Sequence, residues 1–439
     1  AAIAAFTAAT LLFASPILKA GNRGGFGTLM MQGMTEPYRN YLSMGPAPYS
    51  FGSRYSDELT LSSVAADLRP GDPDWDAHEG QPGQSTSQAI RRSGSYVLGW
   101  LPLFAGDVAT QALKSAGWLI AFPALVLPGH PGLDPGSVVR QWPEALALTW
   151  LPLLCPLGFV VFFWRLAANR PREAVALFLS LGALLTYPVV QFSMRHVFHL
   201  EFIWVMSILA LFHAPFEWPK LRAILPRFSI AAAVAVAAII LARTGLTAYQ
   251  DRALRSELEA MLAQPREPVA VIKKALDGGK TAFAIPLPER YRALVEGPAD
   301  SMTPLLPEIG VQWNVRAAGD RLLLTLGGAN CPPGKVTLSL RYAKREAIWQ
   351  PLDNDITVEL PQDRELRTTV LAPAFYRPTQ YLSDIEVASD RAGCIAGVER
   401  MVGHTRLPMV LSVSLVPGWQ SRSLHHDFGN FPLVIAPAK

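Results

Sequence analysis

Long apolar runs and short alternating ones divide this chain into two textures. Residues Ala1 to Leu18 carry no charge and come close to the ~20 residues a membrane-spanning helix needs. They read as a first span, with the hydrophobic region of a signal peptide as the alternative. From 19 to 97 the chain is polar and rich in Gly, Pro and Ser, a long loop region of the kind that carries function. Within 98 to 129 the apolar residues are interrupted by Asp107 and Lys114 and broken by Pro102 and Pro123, which predicts interfacial or re-entrant helices. Four spans are then predicted between 145 and 248, at about Ala145 to Trp164, Ala174 to Phe192, Val197 to Ala214 and Phe228 to Ala248.

Beyond the last of these, Leu254, Leu258, Met261 and Leu262 recur at helical spacing and predict a short helix. After Pro265 the period changes to two. RLLLTL, KVTLSLRY, DITVEL, RTTVLA and MVLSVSLVP are each bounded by turn-forming residues and predict short strands of a β-sandwich. The fold class expected is therefore an α-helical transmembrane region of about five spans plus interfacial helices, followed by an extracytoplasmic, mainly β-sandwich domain over 249 to 439.

Composition supports the membrane expectation. Only 17% of residues are charged, against about 25% in soluble domains, and the mean hydropathy is +0.22. Arg165, Arg170 and Arg172 cluster in one connector and Lys220, Arg222 and Arg227 in another. The positive-inside rule puts both in the cytoplasm and the C-terminal region outside, as in a bacterial inner-membrane protein with a periplasmic domain. The net charge of +4 is dispersed, without a block of like charges, so nucleic acid is not the expected partner. Cys331 and Cys394 share the outer domain and are expected to form a disulfide there, two unpaired buried thiols being the alternative.

Three groups are candidates for chemistry. Asp57 and Glu58 open RYSDELTLSSVAADL, which reads as a helix whose first turn places carboxylates against the helix dipole. Asp72, Asp74 and Asp76 follow in DPDWD, a run that also suits Asx turns. SMRHVFHLEF gathers Arg195, His196, His199 and Glu201 at a predicted bilayer boundary, where ionisable groups are costly unless paired, solvated or functional. The two imidazoles share a helical face, but no third ligand is visible, so no metal site is assigned. Arg195 with His196 and His199 suits the clamping of a lipid phosphate. His425, His426 and Asp427 close the set; adjacent histidines on a strand point to opposite faces and do not readily share a metal. Trp313, Trp349, Trp419, Tyr342, Tyr376 and Tyr381 offer the outer domain a sugar-stacking surface, core packing being the commoner fate.

Placed after a first span on the outer face, the Asp57-Glu58 segment resembles the acidic motif in the first external loop of GT-C-type glycosyltransferases. The resemblance implies transfer of a sugar from a polyprenyl-phosphate donor to an external glycan, lipid or protein. Asp57 or Glu58 would be the catalytic base or would help bind a divalent metal, and Arg195, His196 and His199 would hold the donor phosphate. Membrane lipid, the donor and a glycan or protein acceptor are the partners this implies. The rival expectation is a non-catalytic membrane subunit whose outer sandwich binds a partner protein or glycan.

Overall fold

A computed structural model describes residues 25–54, 57–67, 84–121, 151–177, 209, 218–296 and, with short interruptions, 302–429. The helical part begins with α1 (Gly25–Gly33) and α2 (Glu36–Tyr41), where Thr35 is extended and Pro37 occupies the first turn, as a helix start favours. A two-residue strand β1 (Tyr49–Ser50), helix α3 (Asp57–Ala66), strand β2 (Gln84–Ser85) and helix α4 (Thr86–Trp100) follow. A 3-10 turn at Leu101–Phe104 leads into α5 (Ala105–Ala121), and α6 (Leu151–Asn169) and α7 (Trp218–Leu262) complete this part.

The transmembrane expectation is corrected. Among the described residues no helix is long and apolar enough to cross a membrane. The predicted span at 145–164 overlaps α6, in which Pro152, Pro156 and Gly158 precede Arg165. The one at 228–248 lies within α7, where Arg227 and Arg243 bracket a charge-free stretch of about 22 Å at 1.5 Å per residue, short of a ~30 Å hydrocarbon core. The predicted span at 1–18, all but residue 209 of that at 197–214, and most of that at 174–192 lie outside the described residues. The expected re-entrant segment has a different role as well. Trp100, Leu103 and Phe104 are buried in the protein core, and Asp107 and Lys114 are buried beside them. Trp100, Leu103 and Phe104 are thus covered by protein.

The sandwich expectation is corrected too. Strands β3 (Arg266–Pro268), β4 (Ile272–Leu276) and β5 (Lys280–Ala284) follow α7, then helix α8 (Glu289–Glu296) and strands β6 (Met302–Pro304) and β7 (Val311–Val315). Next come β8 (Ala318–Leu326), β9 (Gly334–Lys344), β10 (Asn354–Leu360), β11 (Thr368–Arg377), β12 (Gln380–Ala388), β13 (Ile395–Met401) and β14 (Ser412–Leu415). Eleven strands form one antiparallel sheet with the path β10-β9-β12-β11-β8-β13-β3, while β2, β7 and β6 form a separate three-stranded one.

The large sheet curls into a half-barrel. β11 and β12 pair only beside their turn, at Tyr376↔Tyr381 and Arg377↔Gln380. From there β11 runs along β8, from Tyr376↔Ala318 to Thr368↔Leu326, whereas β12 runs along β9 and β5. The second layer of a sandwich is replaced by helices: α3 packs on β8 and β11, and α8 on β11. Leu322, Leu323 and Leu324 are consequently all buried, because β8 is covered on both faces. The solvent-facing strand β10 keeps the alternation of buried and exposed residues that its sequence shows.

Two ties close the molecule. β1 pairs with β14, Tyr49↔Val413 and Ser50↔Ser412, so a segment near the start of the described chain completes the sheet. Cys331 and Cys394 form a disulfide with Cα atoms 4.6 Å apart, joining the β8–β9 connection to the 3-10 turn Ser389–Cys394 that precedes β13. α7 is continuous through the predicted span and the predicted short helix. Its C-terminal half buries Leu254, Leu258 and Met261, and the described side chains of its N-terminal half, among them Ile230, Val234 and Ile240, are exposed.

Candidate functional site

Five segments bring polar side chains together at one buried point. Arg39 comes from α2, Tyr49 from β1, Asp107 from the first turn of α5, Gln250 from α7 and His426 from the segment after β14. All five are buried. Tyr49 Oη donates a short hydrogen bond to Asp107 Oδ2, and the His426 backbone N–H donates to Oδ1 at 2.8 Å. Gln250 Nε2 donates to Tyr49 Oη at 2.8 Å and to the Leu424 carbonyl at 2.9 Å, while its Oε1 accepts the Asp107 backbone N–H at 3.0 Å. The guanidinium of Arg39 lies 3.5 Å from Asp107 Oδ2 and over the rings of Tyr49 and Phe51, at 5.6 and 5.5 Å. Its nitrogens have no hydrogen-bond acceptor among the described residues.

The protonation states follow from this geometry. Burial, and then the Asp107 charge, raise the Tyr49 phenol well above its usual value, so it stays neutral and donates. Burial lowers His426 to about 4, with Arg39 acting in the same direction against the opposing pull of Asp107 and the Gly45 carbonyl. The neutral imidazole places Nδ1 2.6 Å from Gly45 O, where the ring N–H donates to the carbonyl. Nε2 is then the unprotonated nitrogen, 3.9 Å from Asp107 Oδ2. Two turns further along α5, Lys114 Nζ donates to the carbonyls of Leu42 and Ser43 at 2.9 and 2.7 Å. Burial, helped by Arg243, lowers Lys114 to about 8. Both cations sit over Phe428, at 5.2 and 5.0 Å from its ring centre.

Chemically this arrangement is a clasp. Both oxygens of Asp107 accept hydrogen bonds, and the Gln250 amide uses both its carbonyl and its amino group. Breaking one partner would leave a buried polar atom unsatisfied, at about 1–3 kcal/mol. The clasp fastens the segment around His426 to α5 and α7, and it is reinforced by Asp251, which accepts from the Leu424 N–H at 2.7 Å and meets His425 Nδ1 at 2.9 Å.

Asp57 and Glu58 are the first two residues of α3. That helix is braced from within: Ser62 Oγ accepts from Arg377 at 3.3 Å, and Ser63 Oγ bonds the Tyr96 hydroxyl at 2.9 Å. Arg195, His196, His199, Glu201, Asp72, Asp74, Asp76 and Trp349 lie outside the described residues. Tyr342, Tyr376 and Trp419 are buried, and Tyr381 is half-buried, so these rings pack the core rather than stack on sugars. An open cleft of about 430 Å³ beside Trp419, lined in part by Leu262, Leu366 and Leu415 with Glu365 and Arg367, contains no residue of the predicted acid and phosphate-binding set. Among the described residues no group of three or more His, Cys, Asp or Glu side chains is placed to hold a metal ion.

The clasp residues carried weak signals. Asp107 and Lys114 interrupt an otherwise apolar stretch, and His426 stands beside His425, but Arg39, Tyr49 and Gln250 have no pattern that marks them. No protein-family model matches this chain, and neither the curated proteins nor the solved structures give a match.

Proposed function

We propose that this chain is a non-catalytic subunit of a protein assembly, in which the N-terminal half of α7 packs between apolar helices of a partner protein. The observation that carries this reading is the bare apolar length of α7. Ile230, Val234 and Leu241 lie on one side of the helix and Val236, Ile239 and Ile240 on the other, and all six are exposed, Leu241 at 71% and Ile230 at 65%. A helix that is apolar all round belongs in a dry environment, and exposed apolar surface beyond a few hundred Å² marks an interaction site. On α6, Leu157 and Val160 are exposed as well.

A glycosyl-transfer reading needs a carboxylate and a phosphate-binding cation in one open cavity. The polar group best developed here, around Asp107, is buried and committed to holding segments together, and this favours binding over turnover. The test is site-specific photocrosslinking in cells, with a photoreactive residue at Val234 or Ile239. The expected result is one discrete protein adduct from both positions, lost when Leu241→Glu is added. Lipid adducts alone, or none, would overturn the reading.

A further inference from the structure

A second interaction surface, independent of α7, lies at the edge of the large sheet. Strand β4 is bonded on one side to β5, from Ile272↔Ala284 to Leu276↔Lys280, and no described strand pairs with its other side. All five of its residues are exposed, Ile272 at 64% and Leu276 at 39%. The other long edge is guarded. At β10, Ser53 donates from its N–H and Oγ to Asn354 Oδ1 at 2.9 and 2.8 Å and accepts the Asp355 N–H at 3.2 Å. The remaining edges, β3 and β1, are three and two residues long.

The hairpin holding β4 is preset for pairing. Its turn, Asp277-Gly278-Gly279, places both glycines at positive φ, +75° and +72°, a conformation that glycine adopts without steric penalty. On the other flank β5 is fastened to β12 through five residue pairs and a Lys280–Glu386 ion pair at 3.4 Å. The strand is thus held extended while its outer row of backbone donors and acceptors pairs with no described strand.

Charge selects the occupant. Lys273 and Lys274 are neighbours on the strand and so project to opposite faces. Edge lysines ordinarily discourage pairing, and here an antiparallel second copy centred on Lys274 would set like charges against each other. A strand that served only as a guard would gain nothing from an exposed Ile272 and Leu276, which flank Lys274 on one face. We infer that β4 takes up, by strand addition, an extended acidic segment of a partner protein. Main-chain hydrogen bonds supply the pairing, the two lysines meet acidic side chains, and Ile272 and Leu276 meet apolar ones.

The test uses the full chain and two fluorescent peptides, one carrying Val-Ala-Glu-Glu-Val and the other Val-Ala-Lys-Lys-Val, which in antiparallel register set the charged pair opposite Lys274 and Lys273 and the valines opposite Leu276 and Ile272. Binding is read by anisotropy, and protection of the 272–276 amides by hydrogen exchange. The acidic peptide should bind at least about tenfold more tightly than the basic one, weaken several-fold between about 50 and 500 mM salt, and protect β4. Lys273→Glu/Lys274→Glu should reverse the preference while leaving the fold unchanged. Equal affinity for the two peptides, protection elsewhere than β4, or protection of β4 in the chain alone as concentration rises would each overturn the proposal, the last by showing self-pairing.

Discussion

Acid should loosen the clasp through His426. In the folded chain this imidazole is held down to about 4 by burial and by Arg39, against the pull of Asp107 and the Gly45 carbonyl, with His425 adding a small push in the direction of Arg39. In the unfolded chain it titrates near 6.5. Between these values the unfolded state binds a proton that the folded state refuses, so stability is full above about 6.5 and declines as pH falls toward 4. A difference of roughly 2.5 units corresponds to about 3 kcal/mol, a large part of the 5–15 kcal/mol that holds a typical domain. Carboxylates also titrate in this range, so the informative quantity is a difference between two chains. His426→Asn keeps a side-chain N–H for the Gly45 carbonyl and does not titrate. Urea unfolding at about pH 7.5, 5.5 and 4.2 should show the variant less stable at neutral pH and the gap to wild type narrowing by about 3 kcal/mol on acidification. A constant gap would mean that burial does not hold His426 neutral. A widening gap would mean that the ring is charged in the fold and pairs with Asp107, and either result refutes the reasoning.

Two further outcomes follow from packing and cross-linking. The Cys331–Cys394 bond closes a loop with a sequence separation of 63, for which chain entropy gives about 4 kcal/mol; the paired Cys331→Ala/Cys394→Ala variant should lose stability of that order in urea, and a wild-type midpoint would contradict it. Gly106→Ala would set a Cβ 2.6 Å from Thr247 Cα, where α5 meets α7, and should cost about 1–3 kcal/mol. Gly245→Ala, with nothing within 4 Å, should instead be neutral or stabilise the helix by up to about 1 kcal/mol, so a similar melting temperature for both variants would show that the α5–α7 contact is not tight.

What could be read in advance depended on whether a residue's pattern records its surroundings. The alternation in DITVEL survives as the buried and exposed sides of β10, and Leu254, Leu258 and Met261 mark the buried face of α7. Period alone does not say what covers a face. The run Leu322-Leu323-Leu324 breaks the alternation because helices lie over one side of β8, and that break was the available hint against a sandwich. Strand β4, IKKAL, has no alternation because neither face is buried, so it left no trace in the pattern. Apolar composition likewise cannot separate lipid from protein as the medium: Trp100 and Phe104 are buried in a protein core, and Ile230 and Leu241 are exposed. The clasp was the least legible part. Its members lie as far apart as Arg39 and His426, and only folding brings them together.

The length of α7 gives the molecule leverage. At 1.5 Å per residue its 45 residues extend about 67 Å, and the exposed Ile230 lies about 20 Å along the axis from Arg243, which donates to Thr110 of α5 at 3.0 Å. A load that tilts this arm by about 10° displaces Ile230 by about 3 Å over its ~20 Å length and delivers the torque where α7 bears on α5. Arg243 and Thr247 are therefore the fulcrum, and strain applied at Ile230 reaches the buried hydrogen bonds of Gln250, two turns beyond Arg243, without any intervening loop to dissipate it.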